Sequence, residues 1–157
     1  MRLLSRAAVV ALVCCAMLVA CARSKSRSPE EAFESLKGAY AAADADAVVT
    51  LLSASSVEKL RKISALIAGM GEDQQKALAA RLDIPVKRLK KLGPVEYMAL
   101  QFDLGKKLNE DAVREAVSYK IAGVKTQGER AVIRVENGME LVFVREDQVW
   151  KFELGDW

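Results

Sequence analysis

One change of period divides this chain. From Pro29 to Leu108 the apolar residues recur every three or four positions. Beyond Asn109-Glu110-Asp111 they alternate with polar ones. The first spacing lines one face of a helix and the second lines one face of a strand. A run of helices followed by a run of strands predicts an α+β fold, with N-terminal helices packed on a C-terminal antiparallel sheet of about four strands.

The helical part, 29–108, carries its own punctuation. Ser28 is placed as an N-cap, Pro29 as the first helical residue, and Glu31 as the third residue of a capping box. Glu30 and Glu31 suit the positive end of the helix. Phe33, Leu36, Tyr40 and Ala43 form the apolar face. Asp44 and Asp46 stop that helix and offer caps for a second one bearing Ala47, Val48, Leu51 and Leu52. Ser55-Ser56-Val57-Glu58 reads as a further capping box. It opens a helix with Leu60, Ile63, Ile67 and Met70, ended by Gly69 and Gly71. Residues 72–82 are rich in strong helix formers. Pro85 restarts a short turn of helix through Leu92. Gly93 and Pro94 separate it from a last helix presenting Tyr97, Leu100, Leu104 and Leu108.

The β part is expected over 113–154. Val117, Tyr119 and Ile121 alternate with polar or small residues, and so do Ala131, Ile133 and Val135. Gln127-Gly128 marks one turn and Glu146-Asp147-Gln148 another. Asn137-Gly138 is a strong hairpin signal, because both residues tolerate positive φ. A two-residue loop there sets Val132 opposite Phe143, Arg134 opposite Leu141 and Ile133 opposite Val142. Both faces are then partly apolar, and both are expected to be partly covered.

The start of the chain has a different character. Met1-Arg2-Leu3-Leu4-Ser5-Arg6 is a short basic stretch, followed to Val19 by residues without a charge. That core is short for a bilayer span, which needs about 20 apolar residues, and its layout is that of a secretory signal. Leu18-Val19-Ala20-Cys21 resembles the lipobox of bacterial lipoproteins. The resemblance implies cleavage between Ala20 and Cys21, lipidation of Cys21, and loss of residues 1–20. It also implies a cell-envelope location, which is the outer membrane facing the periplasm where the organism has two membranes, since Ala22 rather than an Asp follows the cysteine. Residues 21–28 form a linker in which Arg23, Lys25 and Arg27 alternate with small residues. It is either a solvated tether or a contact with anionic headgroups. Residues 29–157 are one domain.

Charge and composition exclude several classes. The chain has 24 basic and 21 acidic side chains, and two of the basic ones, Arg2 and Arg6, leave with the signal. Near-neutral balance gives no concentrated basic face for nucleic acid. There is no histidine, and Cys14 and Cys15 lie within the removed core. With Cys21 acylated, no thiol remains for a disulfide or a zinc site, and no metal or cofactor is expected. Lys87, Arg88, Lys90 and Lys91 cluster as a solvated helix face or as a contact for lipid or an acidic partner.

Two stretches bear a second resemblance. One is 29–52, where a helix ends in Ala42-Ala43-Asp44-Ala45-Asp46-Ala47 and leads into a shorter one. The other is 128–154, whose hairpin Val144-Arg145-Glu146-Asp147-Gln148-Val149-Trp150-Lys151-Phe152 closes with an acidic turn and Trp-Lys. Together they resemble the nuclear transport factor 2-like, or cystatin-like, cone fold. Gln148 stands where that pattern has glycine, so a less tight turn is expected. The extra helical segment 72–108 either covers the mouth of the cone or packs outside it. Enzymes of this fold imply a carbonyl-polarising Tyr and an acidic base, for which the candidates are Tyr40, Tyr97, Asp103 and Tyr119. Each Tyr lies on an apolar stripe, where a core role is the ordinary one, and Trp150 alternates with Phe152 and Leu154 in the same way. The chain therefore reads as a non-catalytic, membrane-anchored module that binds a small apolar ligand or an envelope protein. The alternatives are an envelope enzyme with an apolar substrate in the cone, and a structural envelope lipoprotein without ligand.

Overall fold

The computed structural model describes residues 26–108, 115 and 117–155. Ala20, Cys21, most of the linker and Trp157 lie outside them. Among the described residues, six helices of five residues or more precede a four-stranded antiparallel sheet of order β1-β2-β3-β4. The helices are α1 (Pro29–Ala41), α2 (Ala45–Leu51), α3 (Ala54–Ala68), α4 (Glu72–Leu82), α5 (Val86–Lys90) and α6 (Pro94–Leu108). The strands are β1 (Ile121–Gln127), β2 (Arg130–Val135), β3 (Glu140–Glu146) and β4 (Val149–Glu153). The expected α+β layout is the observed one. Among the described residues no helix is long and apolar enough to cross a membrane.

Local chemistry explains the boundaries. Ser28 Oγ accepts from Glu31 N, and Pro29 starts α1, as the sequence implies. Glu31 reaches back one residue further than a capping box, to Arg27 N at 2.7 Å. Asp44 caps α2 by accepting from Ala47 N at 2.9 Å. The cap of α3 is a correction. Ser53, not Ser55, accepts from Ser56 N, so the helix begins at Ala54. Ser53 has the extended backbone an N-cap requires. Helix α5 also stops at Lys90, two residues before Leu92.

The sheet begins at Ile121 rather than at 113. Glu115, Val117 and Ser118 are helical. Ser118 Oγ donates to the Glu115 carbonyl, and Tyr119 donates its hydroxyl to the Glu115 carboxylate at 2.9 Å. These local bonds between residues three and four apart outcompete the strand that the alternation of Val117, Tyr119 and Ile121 predicts.

The β2–β3 register also differs from expectation by one residue. Val132 pairs with Val142, Ile133 with Leu141 and Ala131 with Phe143. Val135 N bonds to Met139 O, which leaves Glu136-Asn137-Gly138 as a three-residue loop. Only Gly138 takes positive φ, at 87°. That is the arrangement in which a turn ends in one left-handed residue. The loop sends Ala131, Ile133, Val135 and Phe143 to a single face, where all are buried.

That face carries the main core. Phe33, Leu36, Val48, Leu60, Met98 and Phe102 from the helices meet Ile133, Phe143 and Trp150 from the sheet. The interior between helices and sheet is thus packed with large side chains. The opposite face bears Arg130, Val132 and Arg134 of β2 with Glu140, Val142 and Val144 of β3, and none of these joins the core. Core packing thus lies on one face, while on the other Val132, Val142 and Val144 are half-buried without joining a core cluster among the described residues. A second core joins Ala79, Leu89, Leu92 and Leu100 and contains no strand residue. The extra segment 72–108 accordingly packs α4 and α5 outside, against α3 and α6. Helix α6 serves both cores: Met98 and Phe102 face the first, Leu100 and Leu104 the second, and Tyr97 touches both.

Candidate functional site

Strand β4 ends the sheet, and an open edge would leave backbone groups unpaired. Two segments cover it. Ser26 O accepts from Trp150 N at 3.1 Å, and Ser53 N donates to Phe152 O at 2.8 Å. Leu52 and Phe152 form an isolated parallel bridge. The chain just before α1 and the α2–α3 junction therefore both dock on β4.

Side chains from the far face of the sheet wrap round this edge and fix the junction. Lys151 Nζ donates to the Thr50 carbonyl at the end of α2, where a cation suits the negative helix terminus. Glu146 accepts from Ala54 N at 3.0 Å, at the positive start of α3. Glu153 accepts hydrogen bonds from Ser53 and Ser55, and Ser56 Oγ in turn accepts from Leu154 N at 2.8 Å. Ser53 and Ser56 are fully buried. Burial pushes the Glu153 carboxyl up, but the bonds from Ser53 and Ser55, the Lys59 charge and the Ser56 hydroxyl outweigh it and hold the group below its ordinary value. Lys59 also donates to Leu154 O at 2.9 Å. The Ser53, Ser55 and Ser56 hydroxyls are all engaged within the fold, which makes this cluster a latch.

Beside the latch lies a groove of about 570 Å³ between α1, α2 and β4. Its walls are small or apolar: Gly38 and Ala39 from α1 with its C-cap Ala42, Ala47 and Leu51 from α2, and Val149 from β4. Its polar groups are the hydroxyls of Ser26, Ser35 and Thr50, the Asp44 carboxylate and the Lys151 ammonium. Asp44 is committed to the cap of α2. Ser26 is 1 % exposed, and its hydroxyl has no hydrogen-bond partner among the described residues. A volume within the roughly 300–1,000 Å³ of small-molecule sites, mostly apolar walls and a few polar groups is the general composition of a ligand pocket.

The four candidates for catalysis take separate positions. Tyr40 packs edge-on to Phe102, with centroids 5.3 Å apart, and burial raises its hydroxyl pKa. Tyr97 bridges the two cores. Asp103 pairs with Arg88 at 2.9 Å on the surface, which also gives one member of the basic cluster a partner. Tyr119 bonds to Glu115, and that bond, followed by burial, raises its pKa. Among the described residues no hydrogen bond joins Asp103 to any of the three tyrosines. Trp150 is buried in the main core, as its alternation with Phe152 implies.

The groove residues Ser26, Gly38 and Lys151 were not legible as a site. The available signal was the small residues about the end of α1, Gly38, Ala39, Ala41, Ala42 and Ala43, interrupted by Tyr40, which leave room where larger side chains would fill it. No protein family, curated protein or solved structure matches the chain.

Proposed function

We propose that this protein is a membrane-anchored lipoprotein of the bacterial envelope, acting as a binding module rather than an enzyme. The basic start, short apolar core and Leu18-Val19-Ala20-Cys21 support lipidation of Cys21 after cleavage behind Ala20. In this reading the partner of Cys21 is the lipid bilayer, and the ligand is small and mostly apolar. The observation that carries the reading is a coincidence of place. Ser26, five residues after Cys21, both pairs with β4 and lines the groove. Five residues span at most about 18 Å, so the anchor would hold the groove within that reach of the membrane. The packed core supports a ligand site at this edge instead of in the interior of a cone.

The test is recovery of the protein from crosslinked envelopes, alongside the Cys21→Ser variant. The proposal expects an apolar molecule with the wild type, and expects the variant to be misprocessed and lost from the membrane fraction. Recovery of the bare protein, or normal processing and membrane retention of the variant, would contradict it.

A further inference from the structure

We infer that the groove between α1, α2 and β4 binds a single-chain anionic amphiphile, of which a long-chain fatty acid is the simplest case. The carboxylate sits at Lys151 and Ser26, and the acyl chain runs along Gly38, Ala42 and Ala47. This assignment rests on the binding-module reading and names its ligand class.

Three observations carry it. The first is the orphan hydroxyl. A buried hydroxyl without a partner is unfavourable, and Ser26 keeps one at the wall of an open groove. An acceptor atom of a ligand would satisfy it. The second is Lys151. Its ammonium donates to the Thr50 carbonyl, and no carboxylate among the described residues forms an ion pair with it. An ammonium has three donors, so it can hold Thr50 and still bind an anion. The third is the wall. A Cβ placed on Gly38 would meet no heavy atom within 4 Å. The space in front of α1 is therefore open; Ala39, Ala42, Ala47 and Leu51 supply much of its wall, and Lys151 is the one cation among its lining residues.

The charges fix the direction of the ligand. Asp44 lies at the α1–α2 turn and would repel a carboxylate, but its charge is directed at Ala47 N and the positive start of α2. Lys151 lies at the other end, against the last turn of α2. The headgroup therefore belongs at β4 and the methyl end towards the turn. With Ser26 five residues from Cys21, the groove would sit where free acyl chains are most concentrated, at the membrane surface.

The experiment uses the full chain in nanodiscs of zwitterionic lipid. The two probes are a long-chain fatty acid carrying a photoreactive diazirine near its methyl end, and the methyl ester of the same probe. Crosslinked peptides are located by mass spectrometry. Expected is labelling of the α1–α2 segment by the acid, displaced by unlabelled fatty acid, with the ester at least about tenfold weaker. Lys151→Met should weaken labelling by the acid about tenfold and leave the ester unchanged. Gly38→Leu should abolish labelling while the thermal midpoint holds or rises, because leucine is the better helix former. That last readout separates a filled groove from a damaged fold. Equal labelling by acid and ester would overturn the headgroup assignment and leave the groove as a site for neutral apolar ligands. Labelling by neither, or labelling that survives Gly38→Leu, would overturn the groove itself. Labelling that appears only once residues 22–25 are deleted would give the groove to the chain's own linker and equally overturn the proposal.

Discussion

At Glu153 two demands on one carboxylate oppose each other. Burial disfavours its charge; the hydroxyls of Ser53, Ser55 and Ser56 and the Lys59 ammonium favour it, and together they win. A carboxyl held below its ordinary value of 4.5 contributes stability that is complete above the unfolded-state value and disappears as pH falls through the folded one. The Glu153→Gln variant should therefore be less stable than wild type at neutral pH. The gap should shrink steadily as the pH is lowered from about 5 to 3, and paired urea titrations would read it. A gap that is constant or widens in acid would contradict the latch. None of this was visible in the sequence, where Glu153 is one acid among 21 and Ser53 precedes the more conspicuous Ser55-Ser56-Val57-Glu58. The cap is chosen by tertiary context. Ser53 N already donates to β4, and that fixes the extended backbone an N-cap needs.

Among the elements, the hairpins show how turn chemistry sets register. The β3–β4 turn is tight, with Glu146 paired to Val149 and both Asp147 and Gln148 left-handed, at φ 48° and 66°. Gln148 holds this strained position while its Oε1 accepts from Arg145 at 2.6 Å. The expectation of a looser turn was wrong because that hydrogen bond offsets the missing glycine. Gln148→Ala loses the bond and keeps the strain, whereas Gln148→Gly loses both. The glycine variant should exceed the alanine variant in stability by about 1–2 kcal/mol, measured by chemical denaturation. Equal stabilities would mean the left-handed conformation carries no cost here. The kind of each long element was legible because its period is unambiguous. The β2–β3 register was not, because one residue decides it: Glu136 joins the loop with Asn137 and Gly138, and every cross-strand pair moves by one. The start of the sheet failed for a related reason. Val117 and Tyr119 alternate as in a strand, but Glu115 accepts local bonds from Ser118 and Tyr119.

For the molecule as a whole, two cores share α6. The sheet core holds Phe143, Ile133 and Trp150, while the helical one rests on Leu89, Leu92, Leu100 and Ala79. The helical core has few buried residues and no strand. Leu89 is fully buried there, and Leu89→Ala should cost about 2–5 kcal/mol. Hydrogen exchange should place that loss mainly in α4 and α5, with the β2 and β3 amides keeping most of their protection. Uniform loss across the sheet would mean the cores open together.

The groove shares no lining residue with that helical core. Its two halves come from chain segments far apart in sequence: Lys151 and Thr50 are 101 residues apart. No local pattern joins them, which is why the proposed lipidation of Cys21 could be read from one short motif and the groove could not. In the proposed reading, attachment would also set the working geometry. An acylated Cys21 gains about 0.8 kcal/mol per buried CH₂, and two or more chains make a stable anchor. The cations Arg23, Lys25 and Arg27 are then free to serve as spacer. The most direct test is mass spectrometry of the N-terminal peptide from membrane-extracted protein. The account predicts a peptide starting at Cys21, heavier than its sequence by acyl groups, with residues 1–20 absent. An N-terminus at Met1, or cleavage that leaves Cys21 unacylated, would contradict it.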